Sequence, residues 1–235
     1  KVLELSNKVN FLLVNRDGYK VKFREREFKD TEIGRIPKEW DIFMLGQITK
    51  VKRGASPRPM GDPRYFGGYI PWIRISDLKH KRGIFLITTD DTVTEEGKKR
   101  SVYLSDGSLI ISNSGTIAEP AIIMTGRGGC IHDGFVHINP ISNKIDKLFL
   151  YYFFKFKQPE LQTIAQKGTQ GNLNSNIWRS LKLPYPSLPE QQKIAEILST
   201  IDDKLEIERK EKERLEKIKR AMMDLLLTGK VRVKV

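Results

Sequence analysis

The sequence predicts an α+β fold: one globular domain of short strands and interleaved helices, followed by a single long C-terminal helix that forms an antiparallel coiled coil. Three observations carry this. Short apolar runs rich in β-branched and aromatic residues, such as "GGYIPWIRISDL" and "GSLIIS", are separated by Gly- and Pro-rich loops. One stretch, "KLFLYYFFKFKQPELQTIAQ", is apolar at helical spacing instead. The chain then closes on "SLPEQQKIAEILSTIDDKLEIERKEKERLEKIKRAMMDLLLTGK", an unbroken helical sequence from Ser187 to Lys230 that is apolar at both ends and charged between them.

Taken in order, residues 1–30 hold short apolar patches and an alternating basic stretch, read as a strand or two or an arm packed on the main domain. Pro37 and Trp40 fix an entry turn, and Ile42, Phe43 and Leu45 begin a buried strand or short helix. "KVKRGASPRP" breaks into a Gly/Pro loop crowded with positive charge. Ile70, Trp72, Ile73 and Ile75 make a strand. Two further strands flank a polar loop over 112–116, and "CIHDGFVHINPI" is another strand pair. Leu148, Tyr151, Tyr152, Phe154, Leu161 and Ile164 mark a buried helix. A polar loop, a short helix and a Pro-flanked strand complete a globular unit over 31–186. The long helix occupies 187–229 and a basic tail 230–235.

Ser187 and Glu190 have the spacing of a capping box, Pro189 sits in the first turn, and Gly229 stands where a C′ glycine belongs. Some 40 residues at 1.5 Å rise make a rod of about 60 Å, which needs a partner to hide its apolar stripe. With Ile194 as heptad position a, the a/d series is Ile194, Ile197, Ile201, Lys204, Glu208, Glu211, Leu215, Ile218, Met222, Leu225, and Leu198, Leu205 and Leu226 widen it. The expected partner face is therefore Ile194, Ile197, Leu198, Ile201, Leu205, Leu215, Ile218, Met222 and Leu225. A parallel homodimer would stack Glu208 on Glu208 and Glu211 on Glu211. An antiparallel one sets apolar end against apolar end and lets "EIERKEKER" meet its own reverse.

Charge points to the partner class. The chain of 235 residues carries a net +13, which suits a polyanion, either nucleic acid or an anionic membrane surface. From Leu188 to Thr228 nine basic and ten acidic residues nearly cancel, and the tail from Gly229 adds three basic residues, so the first 187 residues carry +11. The basic face belongs to the globular part, the reverse of a membrane-binding or calmodulin-type basic helix. No apolar run of membrane-spanning length and no signal-peptide pattern occurs. A single cysteine, Cys130, excludes an internal disulfide framework and fits a reducing cytoplasm.

Catalytic signatures are missing. There is no phosphate loop, no G-x-G-x-x-G after a strand, no G-x-S-x-G, and "INPIS" at Asn139-Pro140 lacks the second proline and the ring of the adenine-methyltransferase motif. Asp77 or Asp91 with Glu96-Gly97-Lys98 spells a nuclease-like acid plus E-x-K, but so does Glu208-Arg209-Lys210 on the charged helix, as chance allows in a chain this charged. Cys130, His132 and His137 lack a fourth ligand, so no metal site is expected. DNA-reading chemistry is richer. Lys52, Arg53, Arg58 and Arg64 crowd the first Gly/Pro loops, and Arg74, Lys79, Lys81 and Arg82 follow the Trp72 strand. Two polar loops offer Ser112, Asn113, Ser114 and Thr116, then Thr169, Gln170, Asn172 and Asn174. Arginine suits guanine edges and Asn or Gln adenine edges, while Lys and hydroxyls suit phosphates. The Asn-rich loop equally suits turn and cap chemistry.

The segments "IGRIPKEWDIFMLGQI", "YIPWIRISDL", "GSLIISNSGTIAEPAI", "KGTQGNLNSNIWRSLKLPYPSLPEQQKIAEILSTID" and "LLTGKVRV", in this order from about Thr31 to Val233, resemble the DNA-specificity (S) subunits of Type I restriction-modification systems. The resemblance implies a non-catalytic protein in which target-recognition domains each read one half of a bipartite DNA site. It also implies antiparallel spacer helices that dock methyltransferase (M) subunits, with the restriction (R) subunit recruited to the assembly. S-adenosylmethionine is then expected on the M subunit, ATP and Mg on the R subunit, and no cofactor on this chain. Such subunits carry two recognition domains; this sequence has one, with one long helix. It is either a fragment or a half-subunit that dimerises through the helix and reads an interrupted palindrome. Two rival readings stand beside it: the targeting module of a Type II-like restriction enzyme, and a coiled-coil adaptor without DNA specificity.

Overall fold

The computed structural model describes residues 27–141, 143–167 and 173–234. The arm expected over 1–30 lies outside the described residues as far as residue 26. The elements run β1 (Phe28–Thr31), β2 (Gly34–Pro37), β3 (Asp41–Met44), α1 (Leu45–Ile48), β4 (Thr49–Arg53), β5 (Phe66–Ile73), a 3-10 turn (Ile75–His80), β6 (Lys81–Arg82), β7 (Phe85–Leu86), β8 (Asp91–Val93) and α2 (Glu95–Lys99). They continue with β9 (Val102–Leu104), β10 (Leu109–Ser112), β11 (Pro120–Ile123), β12 (Gly129–Ile131), β13 (Phe135–Pro140), α3 (Lys147–Lys167), α4 (Ser175–Ser180), β14 (Lys182–Tyr185) and α5 (Leu188–Leu227).

Three layers follow from how the apolar residues alternate. A six-stranded sheet, ordered β4-β13-β10-β11-β7-β6, lies between a helical layer and a four-stranded sheet ordered β8-β5-β12-β9. On β10, Leu109 and Ile111 join the core shared with the helices, while Ile110 joins the core between the sheets with Ile73, Ile131 and Phe135. Burial on both faces is why this strand reads as an unbroken apolar run rather than an alternating one. The helical side is filled by Leu150, Phe154 and Leu161 of α3, Trp178 of α4 and Leu183 of β14. "CIHDGFVHINPI" does hold two strands, but they are not partners. β12 pairs with β5 and β9, whereas β13 pairs with β10 and β4. The His132–Gly134 turn carries the chain from one sheet to the other.

The long helix is fastened to the domain by its first third. The expected capping box does not form: Ser187 makes no side-chain cap bond. Glu190 instead accepts a hydrogen bond from Trp40 Nε1 at 3.1 Å, tying the helix to the domain entry. Gln191 is fully buried, its Oε1 accepting from Asp146 N at 2.9 Å and its Nε2 donating to Pro186 O at 2.8 Å and Lys144 O at 3.2 Å. Ala195 is buried, and Tyr152 Oη donates to Asp202 Oδ2 at 2.9 Å. From Ile207 to Lys234 every residue but Leu225 is exposed, so roughly 30 Å of helix stands clear of the body. Intrahelical pairs of Arg209 with Glu206 and Glu213, and of Arg214 with Glu211, support that free stretch. Gly229, at φ +72°, ends it.

A buried amide satisfied three times is costly to lose. Gln191→Leu is expected to lower unfolding stability by about 2–4 kcal/mol, because it leaves buried backbone groups at Asp146 and Pro186 without partners. Urea denaturation of both chains checks this; an unchanged midpoint would show that the joint is not held by Gln191.

Candidate nucleic-acid interface

Four loops meet at one edge of the two sheets: the segment after β4, the end of β5, the β10–β11 loop and the β12–β13 turn. Main-chain bonds lock them together. Gly54 N donates to Phe135 O at 2.9 Å, Ala55 N to Ile131 O at 3.2 Å, His132 N to Ile73 O at 2.9 Å and Asn113 N to Gly134 O at 2.6 Å. Glycine permits this closeness. A Cβ on Gly54 would stand 2.2 Å from His132 O, and one on Gly134 would stand 2.7 Å from Ser114 Oγ.

Three arginines converge on this platform. Arg53 Nε donates to Asp133 O at 2.7 Å, and Arg58 Nη2 lies 3.7 Å from Asp133 Oδ2. Arg74 pairs with Asp91. Asp133 N donates to Ser56 Oγ at 3.3 Å, which steadies the turn. His132 sits at the centre, its Nδ1 accepting from Gly134 N at 2.8 Å and its ring edge-on to Trp72 at 5.8 Å. Burial, first of all, holds the His132 pKa below its ordinary value; Asp133 acts the other way, and Arg58, Arg74 and Arg53 all reinforce the lowering. All three guanidinium groups therefore act on one imidazole. The same Nδ1 lies 3.0 Å from Asp133 Oδ1, so the turn's own carboxylate and backbone both hold the ring in place. The arrangement can grip phosphates through guanidinium groups, read guanine O6 and N7 through a bidentate arginine, and accept from cytosine N4 through Asp133. Two donors in this layer, Trp72 Nε1 and Arg74 Nε, are buried with no acceptor among the described residues, an arrangement that costs stability and is tolerated most readily at functional surfaces.

A comparison with known families decides what kind of chain this is: the Type I restriction modification DNA specificity domain matches residues 37–217. The chain belongs to that family. The specificity subunit of the Type I restriction enzyme MjaIX of Methanocaldococcus jannaschii is 35% identical over 205 residues, covering 85% of this chain and 46% of that protein. The chain spans about half the length of the curated relatives it matches. Among solved structures, the HsdS subunit from Thermoanaerobacter tengcongensis superimposes with a TM-score of 0.61 at 18% identity, over 84% of this chain and 47% of that one. A chain from a study of complex assembly and conformational transition of the type I R-M system gives 0.63 at 20% identity, over 81% of this chain and 46% of that one. At such identities the likeness concerns the fold: mixed strands and helices with a long closing helix.

Within this specificity-domain fold the predicted residues divide. Arg53, Arg58, Arg74 and the half-buried Ser114 come together, and Thr116 is exposed on the same loop. Lys52 is exposed on the adjoining edge strand. Arg64 is clamped on Asp62 at 2.6 Å and Lys79 on Asp90 at 2.7 Å; Arg82 is exposed at the end of β6. Four readings are corrected. Ser112 is buried, donates to Thr116 O and accepts from Glu119 N at 2.8 Å, so it holds the loop's shape. Asn113 is buried and accepts from Trp178 Nε1 at 2.9 Å. Asn174 caps α4, accepting from Asn176 N and Ile177 N. Lys81 faces the helix layer, where its Nζ pairs with Glu119 at 2.5 Å and donates to Pro120 O at 2.8 Å. Thr169, Gln170 and Asn172 lie outside the described residues.

On the rod, Leu198, Ile201, Leu205, Leu215, Ile218 and Met222 are exposed, and Ile197 and Leu225 are half-buried. Ile194 is a correction: it packs against the domain's own core. Cys130 and His137 do not join His132 around a common point. Cys130 is buried with Trp72 on the outer face of the four-stranded sheet, where burial pushes its thiol up to about 11. His137 lies on β13, where burial and then Lys147 and Lys52 push its pKa down to about 4. Ligand-type atoms of Asp77, His80 and Asp90 do lie within 4.8 Å of one another. Asp77 however accepts from Arg74 N and Asp90 N, and Asp90 already holds Lys79 and His80. Among the described residues, no helix is long and apolar enough to cross a membrane.

Reading the sequence alone misses Ser56, His132 and Asp133 as members of the candidate interface. The available signal is the His132-Asp133-Gly134 turn itself: a polar pair before a glycine between two apolar strands. Spacing alone makes His132 look only like part of an incomplete metal ligand set.

Proposed function

We propose that this chain is a non-catalytic, DNA-reading half of a Type I restriction-modification specificity subunit. Its recognition domain reads one half of a bipartite site, and its long helix pairs antiparallel with a second copy, so that the dimer reads an interrupted palindrome. The assembly docks methyltransferase subunits, which carry S-adenosylmethionine, and through them works with a restriction subunit that uses ATP and Mg. The chain itself binds none of these and acts in the cytoplasm. The observation that carries the reading is the glycine-fastened edge on which Arg53 and Arg58 both reach Asp133 and Arg74 pairs with Asp91, in a chain of this family. The net charge of +11 on the first 187 residues, against a nearly neutral rod, supports it.

Fluorescence anisotropy with labelled duplex DNA over about 50–200 mM salt tests it. The wild-type chain is expected to bind with an affinity that falls steeply with salt. Arg53→Ala, Arg58→Ala and Arg74→Ala together should reduce the slope of log K against log salt by about two to three units, near 0.9 per lost phosphate contact. With Mg and S-adenosylmethionine added, the purified chain should neither cut nor methylate the duplex. Clear activity would favour a Type II-like enzyme, and salt-independent or absent binding a plain coiled-coil adaptor.

A further inference from the structure

We infer that two copies of this chain pair along one defined seam of α5, with the two-fold axis crossing at Lys210, so that Leu205 of each copy lies level with Leu215 of the other. This rests on the dimeric reading above and adds to it a face and a register.

The face comes from burial. Leu198, Ile201 and Leu205 are exposed on the side of α5 that borders Lys81, Tyr151 and Tyr152 of the domain, while Ala195 and Gln191 are turned into the body. Continuing from Leu198 in alternating steps of three and four gives Ile201, Leu205, Glu208, Lys212, Leu215, Lys219, Met222 and Leu226. Such steps keep residues on one stripe of a helix. The stripe begins beside the domain and runs off the free end, and Leu215, Met222 and Leu226 along it are all exposed. A single chain leaves it uncovered.

The register comes from what each position meets. Turned head to tail about Lys210, Leu205 meets Leu215, Leu198 meets Met222, and Ile201 meets the aliphatic stem of Lys219 beside Ile218. At the centre Glu208 meets Lys212. Beside the stripe, Asp203 comes level with Lys217, and Lys204 with Glu216. The two-fold repeats each of these pairs. Slipping inward by one heptad puts Glu208 on Leu205 and Lys212 on Ile201. Slipping outward by one heptad puts Lys212 on Leu215 and leaves Leu198 uncovered. A parallel pairing brings every charge onto its own like. One register therefore satisfies both the apolar ends and the charged centre.

The consequence is a fixed span. Ala195, the buried anchor of the helix on its domain, lies about thirty residues along the rod from its counterpart, or about 45 Å. That exceeds one turn of B-DNA, about 34–36 Å.

Disulfide trapping in the full chain tests this with little background, because the one native thiol, Cys130, is buried and held up to about 11. Leu205→Cys with Leu215→Cys is expected to give near-complete covalent dimer on mild oxidation, and each single variant to stay monomeric on a non-reducing gel. In this register a residue at 205 lies ten levels, about 15 Å, from its own copy, beyond the roughly 7 Å a disulfide spans between Cα atoms. Trapping by Leu205→Cys alone would mean parallel helices. Efficient trapping by Leu198→Cys with Leu215→Cys, or by Leu205→Cys with Met222→Cys, in place of the expected pair would mean a slipped register. Either result overturns the inference while leaving a dimer. A wild-type chain that light scattering shows to be monomeric would instead remove the dimer on which it rests.

Discussion

Glutamate at both Ile201 and Leu215 is expected to convert the proposed dimer into monomers, halving the mass seen by light scattering to the 27.1 kDa of one chain. Both side chains are exposed on the isolated chain, at 43% and 56%, so the domain's own core does not need them. In a dimer they sit on the seam at both ends, and the two-fold presents four substitutions to one interface. About half of each side chain is already covered in the single chain, so pairing adds about 0.7–1.5 kcal/mol per site, and four sites amount to roughly 3–6 kcal/mol. A micromolar dimer holds only about 8 kcal/mol in total. Glutamate is a good helix former, which separates lost pairing from lost helix. A variant that remains dimeric at micromolar concentration would place the interface elsewhere. Each monomer should still bind duplex DNA, but with the weaker affinity of one basic domain instead of two.

How much of this is legible in the chain differs by element. α3 and α5 are readable because a long 3.6-residue period is specified locally, and β10 and β11 because their apolar runs are bounded by turn residues. The partition of strands between two sheets is not. The strands of "CIHDGFVHINPI" look like neighbours in sequence, yet Gly134 N-H and its close approach to Ser114 let the chain cross between layers. Sheet membership is fixed by such non-local packing, which no local pattern encodes. The same holds at the candidate interface. Arg53, Arg58 and Arg74 can be picked out by type, since arginines near glycine loops in a basic domain suit DNA. Ser112, Asn113, Asn174 and Lys81 satisfy the same rule and hold the fold together instead. Residue type suggests what a side chain could contact; burial and hydrogen-bond partners decide whether those contacts are already made inside the fold. The capping box at Ser187 fails for a related reason: Trp40, 150 residues away in sequence, takes the glutamate that the box requires.

Trp178 is where the distinction between building the reading loop and being part of it can be measured. Its side chain is fully buried, its ring lies 6.0 Å edge-on from Phe154, and its indole donates to Asn113 in the β10–β11 loop. Trp178→Ala should cost about 3–5 kcal/mol for the emptied core volume, with about 1–3 kcal/mol more for the donor withdrawn from Asn113, one of the largest single losses this fold can suffer. Trp178→Phe keeps most of the ring and isolates the second contribution. Asn113→Ala then removes the other partner, and the double variant should cost less than the two singles together by about 0.5–3 kcal/mol, the signature of direct coupling. Denaturant unfolding of the four chains gives these numbers. If Asn113 is structural, its replacement moves stability and leaves the duplex sequences selected from a randomised pool as they were. Were it a base reader, the selected sequences would change while the Trp178 coupling stayed near zero. The hydrogen bond at 2.9 Å between two buried groups favours the first outcome, because a side chain satisfied inside the core has its acceptor committed before DNA arrives.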